Sequence, residues 1–163
     1  MQSTFHFYND PGHGWMAVKR SCLKELGIAR SISTYSYQRG DMVYLEEDSD
    51  YSIFLAALKN IGITPRIKEH HAERRSKIRS YDSFHCLMSD CKFSIVGTVH
   101  DPRTNEGMNN PSMSIGAGTL STATQHAEGW ARDGYWASVY DETGEAVREF
   151  PPKGAPGTAH HAM

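Results

Sequence analysis

The chain has 163 residues, 39% of them apolar and 22% charged, with a formal net charge of −2. That length suits one domain or two small ones, and no apolar run approaches the roughly 18 residues a spanning helix needs, so no membrane partner is expected. The near-neutral total hides a division, because residues 1–80 carry twelve basic against nine acidic side chains and residues 81–163 carry five against ten.

Such segregation predicts two modules and a charged partner, with solvated faces as the plainer alternative. The first residues lack a basic region followed by an apolar one, so no secretion signal is expected. Three cysteines fit a reducing compartment better than a disulfide framework, which points to the cytoplasm.

Taken in order, Phe5 and Phe7 alternate with His6 and Tyr8, the period of a half-buried strand. Asp10-Pro11-Gly12 then forces a turn, and Trp15 to Val18 resumes an apolar strand. Ser21 is placed to cap a short helix carrying Leu23 and Leu26 and stopped by Gly27. Residues 28–41 read as loop or irregular strand, and Met42 to Glu46 as a strand. Asp48 or Ser49 caps the strongest helix, with Ile53, Phe54, Ala57, Leu58 and Ile61 on one face and Gly62 at its end. Ile63 and Ile67 alternate with outward Arg66 and Lys68 in the next strand.

Residues 70–91 are polar and read as a linker or long loop. A second module starts near Cys91, with a strand through Phe93, Ile95, Val96 and Val99. Residues 101–114 are turn-rich. Thr122 and Gln125 match a capping box, opening a helix with Ala123, Ala127, Trp130 and Ala131 inward and Gly134 at its stop. Tyr135 to Tyr140, a turn at residues 141–144 and Ala146 to Phe150 make a hairpin. The Pro- and Gly-rich end predicts a frayed tail. The expected organisation is therefore α+β: a module over 1–69, a basic bridge over 70–91, a module over 92–150 and a flexible tail over 151–163. Mainly antiparallel sheets are expected, each with one main packed helix.

No motif names a reaction. The chain has no Gly-x4-Gly-Lys-Ser/Thr loop, no Gly-x-Ser-x-Gly and no His-Glu-x-x-His. Gly116-Ala117-Gly118 begins like a dinucleotide fingerprint, but Ser121 stands where its third glycine belongs. His13 sits between two glycines at a loop tip, where it could act as acid or base, as part of a binding loop or simply as a turn residue. His85, Cys86 and Cys91 lack the paired short spacings of a closed zinc site, so no metal and no cofactor is expected.

Glu46, Glu47, Asp48 and Asp50 fit the N-terminal end of a helix, an acidic partner-binding patch or a divalent-metal site. The strongest binding signal is basic. Arg66, Lys68, Arg74, Arg75, Lys77 and Arg79 face only Glu69 and Glu73, with Tyr81 and Phe84 following. Such a stretch can neutralise phosphates, dock on an acidic protein face or stay solvated.

Tyr8-Asn9-Asp10-Pro11-Gly12-His13-Gly14-Trp15, Leu26-Gly27-Ile28, Tyr35-Ser36-Tyr37 and Val43-Tyr44-Leu45-Glu46-Glu47-Asp48 together resemble small accessory proteins of plasmids and integrative elements. The resemblance covers residues 5–84. It implies an anti-defence role of the kind played by inhibitors of type I-F CRISPR surveillance complexes, and it carries over no catalytic residue. The expected function is thus non-catalytic: an inhibitor that binds a protein or ribonucleoprotein effector complex. The alternatives are a DNA- or RNA-binding accessory protein and a small enzyme using His13.

Overall fold

The computed structural model describes residues 3–101, 103, 104 and 111–153. Two compact units divide between Asp90 and Cys91. The first contains β1 (Thr4–Asn9), β2 (Gly14–Lys19), α1 (Arg20–Leu26), β3 (Tyr37–Arg39), β4 (Met42–Glu46), α2 (Asp50–Asn60), β5 (Arg66–His71) and β6 (Asp82–Ser83). The second contains β7 (Phe93–Thr98), β8 (Pro111–Ala117), α3 (Leu120–Arg132), β9 (Trp136–Asp141) and β10 (Ala146–Phe150). The fold is α+β, and both sheets are rich in antiparallel pairs. Among the described residues no helix is long and apolar enough to cross a membrane.

The first sheet has the order β5-β1-β2-β4-β3-β6. Alternation sends Phe5, Met16, Val18, Val43 and Leu45 to one face. There they share a buried cluster with Cys22 and Leu23 of α1 and with Phe54 and Leu58 of α2. Phe54 meets Phe5 edge-on, with ring centroids 5.0 Å apart. Both expected helices contribute to this core, the short α1 as well as the main helix α2. Gly27 closes α1 in the left-handed region at φ 71°, where a residue with a Cβ would be strained. Ser21 does not cap α1; Lys19 stands at the cap with no side-chain bond, and the helix opens at Arg20. Ile61 lies past the end of α2 and is 53% exposed, not inward.

The parallel pair β1–β5 departs from the hairpin pattern. Parallel neighbours need a long crossover, and here everything from β2 to α2 supplies it. The polar stretch 70–91 is correspondingly no linker. His70 and His71 end β5, residues 77–80 form a 3-10 turn, Asp82–Ser83 pairs with β3, and Ile78 and Phe84 are buried. Since β5 and β6 lie on opposite edges, residues 72–81 must cross the sheet. They run over the face away from the helices, as Arg79 over Trp15 and Tyr81 beside Tyr44 record.

The second sheet has the order β10-β9-β7-β8. Ile95, Ala117, Ala123, Ala127, Ala137 and Val139 form its buried cluster, with Trp130 half-buried against it. Thr119, not Thr122, caps α3: its Oγ1 accepts the Thr122 N–H at 3.2 Å. Half of the connection expected over 101–114 and most of the expected tail lie outside the described residues, and residues 111–114, expected as turn, belong to β8.

Candidate functional site

The turn between β1 and β2 is held by one carboxylate. Asp10 Oδ1 accepts the Gly12 and His13 backbone N–H groups at 3.0 and 3.1 Å. Arg79 grips both oxygens, from Nε at 2.8 Å and from an Nη at 2.7 Å, and the Ser76 N–H adds a bond at 2.8 Å. Arg79 first, then Ser76, holds the Asp10 carboxyl far below the ordinary carboxylate range. The Arg79 guanidinium carbon also lies 5.1 Å from the centroid of the Trp15 ring. Arg79, expected as a partner-binding cation, is therefore a structural clamp between the crossing segment and the turn.

The turn presents His13 to the acidic segment after β4. Its Nδ1 lies 3.6 Å from Glu46 Oε1 and 3.9 Å from Glu47 Oε1. The other oxygen of Glu46 accepts the Asp48 and Ser49 N–H groups at 3.0 and 3.1 Å, and Ser49 stands at the N-cap of α2 with no side-chain capping bond. His13, Trp15, Tyr35, Tyr37, Glu46, Asp48, Ser49 and Arg79 line a pocket of about 370 Å³. Tyr35 stands at its rim, 74% exposed. The sequence suggested His13 and, separately, the acidic cluster as partner contacts; folding brings His13 to Glu46, Glu47 and Asp48 of that cluster.

Asp50 is corrected. It is fully buried, and its carboxylate accepts the Ser33 N–H at 3.1 Å and the Ser33 hydroxyl at 2.8 Å, with the Ser36 hydroxyl as a further donor. It ties residues 33–36 to the start of α2 and offers nothing to a partner.

The helix-free face of the first sheet forms a second feature. The β1–β5 register sets Thr4 beside Arg66, His6 beside Lys68 and Tyr8 beside His70. The His70 ring lies 4.9 Å from that of His6 and 4.7 Å from that of Tyr8, both nearly parallel. His6 Nδ1 and His70 Nε2 share a hydrogen bond at 2.7 Å. Tyr44 and Tyr81 continue the aromatic surface, their centroids 5.2 Å apart, with Arg39 over Tyr81 at 5.0 Å. Burial first, then the Tyr81 and Tyr8 phenols, pushes the Tyr44 pKa up. Arg66 and Lys68 flank the rings and are exposed, as are Arg74, Arg75 and Lys77 on the crossing segment.

Residue spacing did not announce the ring set, because His70 reaches Tyr8 only through a parallel pairing of strands 62 residues apart in the chain. One signal was available: His6 and Tyr8 occupy the polar positions of an alternating strand, where threonine or lysine would serve solubility equally well. No protein-family model, no curated protein and no solved structure matches this chain.

Proposed function

We propose that the chain acts by binding and that its target is single-stranded nucleic acid, engaged on the helix-free face of the first sheet. The observation that carries this reading is the stacked set His6, Tyr8 and His70 beside exposed Lys68 and Arg66. Unpaired bases stack on aromatic faces whatever their identity, and neighbouring cations take the phosphates. A sheet presents such rings rigidly, because alternate residues all point to one side. Duplex ends its base faces inside the helix, so the same surface favours strands over duplex.

The test is fluorescence anisotropy with labelled single-stranded oligo(dT), oligo(U) and a duplex of equal length. The wild-type chain binds the strands in preference to the duplex. Tyr8→Ala with His70→Ala weakens strand binding by roughly ten-fold or more, since one base–ring stack contributes about 1–3 kcal/mol. Equal binding of duplex, or strand binding indifferent to the two ring substitutions, refutes the reading. The inhibitor role implied by the resemblance requires a protein or ribonucleoprotein effector complex as the partner instead, so strand binding by the isolated chain separates the two.

A further inference from the structure

We infer that His13, Glu46 and Asp48 form a binding site for one divalent cation of the first transition row, with Mn²⁺ and Zn²⁺ as its representatives. One ligand atom from each of the three side chains lies within 4.8 Å of the others. Glu47 Oε1 stands 3.9 Å from the same His13 nitrogen. An imidazole with two or three carboxylates suits such cations, whereas magnesium and calcium favour oxygen alone.

The donors are positioned from outside the set. Asp10, clamped by Arg79, fixes the His13 backbone, and two N–H groups occupy one oxygen of Glu46, turning the other toward His13. Such outer bonds orient ligands. Charge favours a cation here as well. Arg79 lines the pocket but is neutralised by Asp10. Among the described residues no lysine or arginine pairs with Glu46, Glu47 or Asp48.

Trp15, 1% exposed, is part of the pocket lining, and its indole N–H, itself buried, has no acceptor among the described residues. A buried donor left unpaired is costly. A cation at His13, Glu46 and Asp48 would keep open positions and carry oxygen into the pocket as water or as a ligand group.

The experiment is isothermal titration of the full chain with MnCl₂, ZnCl₂ and CaCl₂, with melting curves taken with and without metal. One saturable site for Mn²⁺ or Zn²⁺ is expected, with weaker Ca²⁺ binding and a metal-dependent rise in Tm. His13→Ala and Asp48→Asn each weaken binding at least about ten-fold, while His70→Ala, in the separate ring set, leaves it unchanged. Should His13→Ala lower the metal-free Tm, Glu46→Gln decides, because its amide oxygen still accepts the Asp48 and Ser49 N–H groups. Absence of saturable binding, binding that survives the deciding variants, or binding lost in His70→Ala overturns the site. None of these outcomes depends on nucleic acid.

Discussion

Salt dependence gives the sharpest test of the basic face. The first unit exposes five cations in and after its edge strand: Arg66, Lys68, Arg74, Arg75 and Lys77. Arg79 is left out, since Asp10 already neutralises it. Each phosphate neutralised on a single strand contributes about −0.7 to the slope of log affinity against log salt. Five contacts give a slope of about −3.5, hence a loss of roughly 100-fold between about 50 and 200 mM salt. Replacing Arg66 and Lys68 by glutamine removes two contacts and brings the slope to about −2.1. The variant should bind more weakly at low salt and approach the wild type as salt rises. Its Tm should hardly change, because exposed charges contribute little to folding. The assay is an anisotropy titration of labelled oligo(U) at five or more salt concentrations, with melting curves alongside. A wild-type slope near zero, or an unchanged slope in the double variant, would refute the assignment of these cations to phosphates.

Two further outcomes concern the turn. Asp10 has a folded pKa depressed below its unfolded value, so its stabilisation is fully present above the ordinary carboxylate range and is lost as pH falls through the folded value. Asp10→Asn should therefore melt below the wild type at neutral pH, with the gap steady down to about pH 5 and narrowing below about pH 4; a gap that widens with acid contradicts the clamp. A Cβ on Gly14 would stand 2.6 Å from Phe7 Cε1 and 2.5 Å from Glu47 Oε2, so Gly14→Ala should cost about 1–3 kcal/mol by overpacking, and urea denaturation showing no loss would count against the placement of the Phe7 ring.

What the sequence made legible was local. Met42 to Glu46 and Ala146 to Phe150 read as strands because apolar alternation and flanking turns lie within a few residues. Gly27 and Gly62 marked helix ends through the same short-range chemistry, with φ values of 71° and 74°. Pairings between distant segments were not legible. Nothing in Arg66 to His71 states that the strand lies parallel to β1, and a charged edge strand resembles a charged loop when read alone. Asp50 shows the same limit: a carboxylate at a helix start usually faces water, and only the return of Ser33 and Ser36 buries it. His13 met Glu46 and Asp48 because β2 and β4 are neighbours in register, with Trp15 opposite Glu46. The turn composition could nominate His13 but could not supply its companions.

The order β5-β1-β2-β4-β3-β6 also bears on how the first unit assembles. Its four inner strands come from residues 4–46 and join through antiparallel neighbours. Both edges come from later chain and close far larger loops, which makes their contacts slower to form. The inner strands can pair while the rest is still unfolded, whereas β5 and β6 add to a template that already exists. The same asymmetry applies in reverse under native conditions, where edge amides open in smaller, cheaper fluctuations than those at the centre. The rings contributed by β1 thus rest on the durable part of the sheet, while His70, Lys68 and Arg66 ride on the strand that joins last and leaves first.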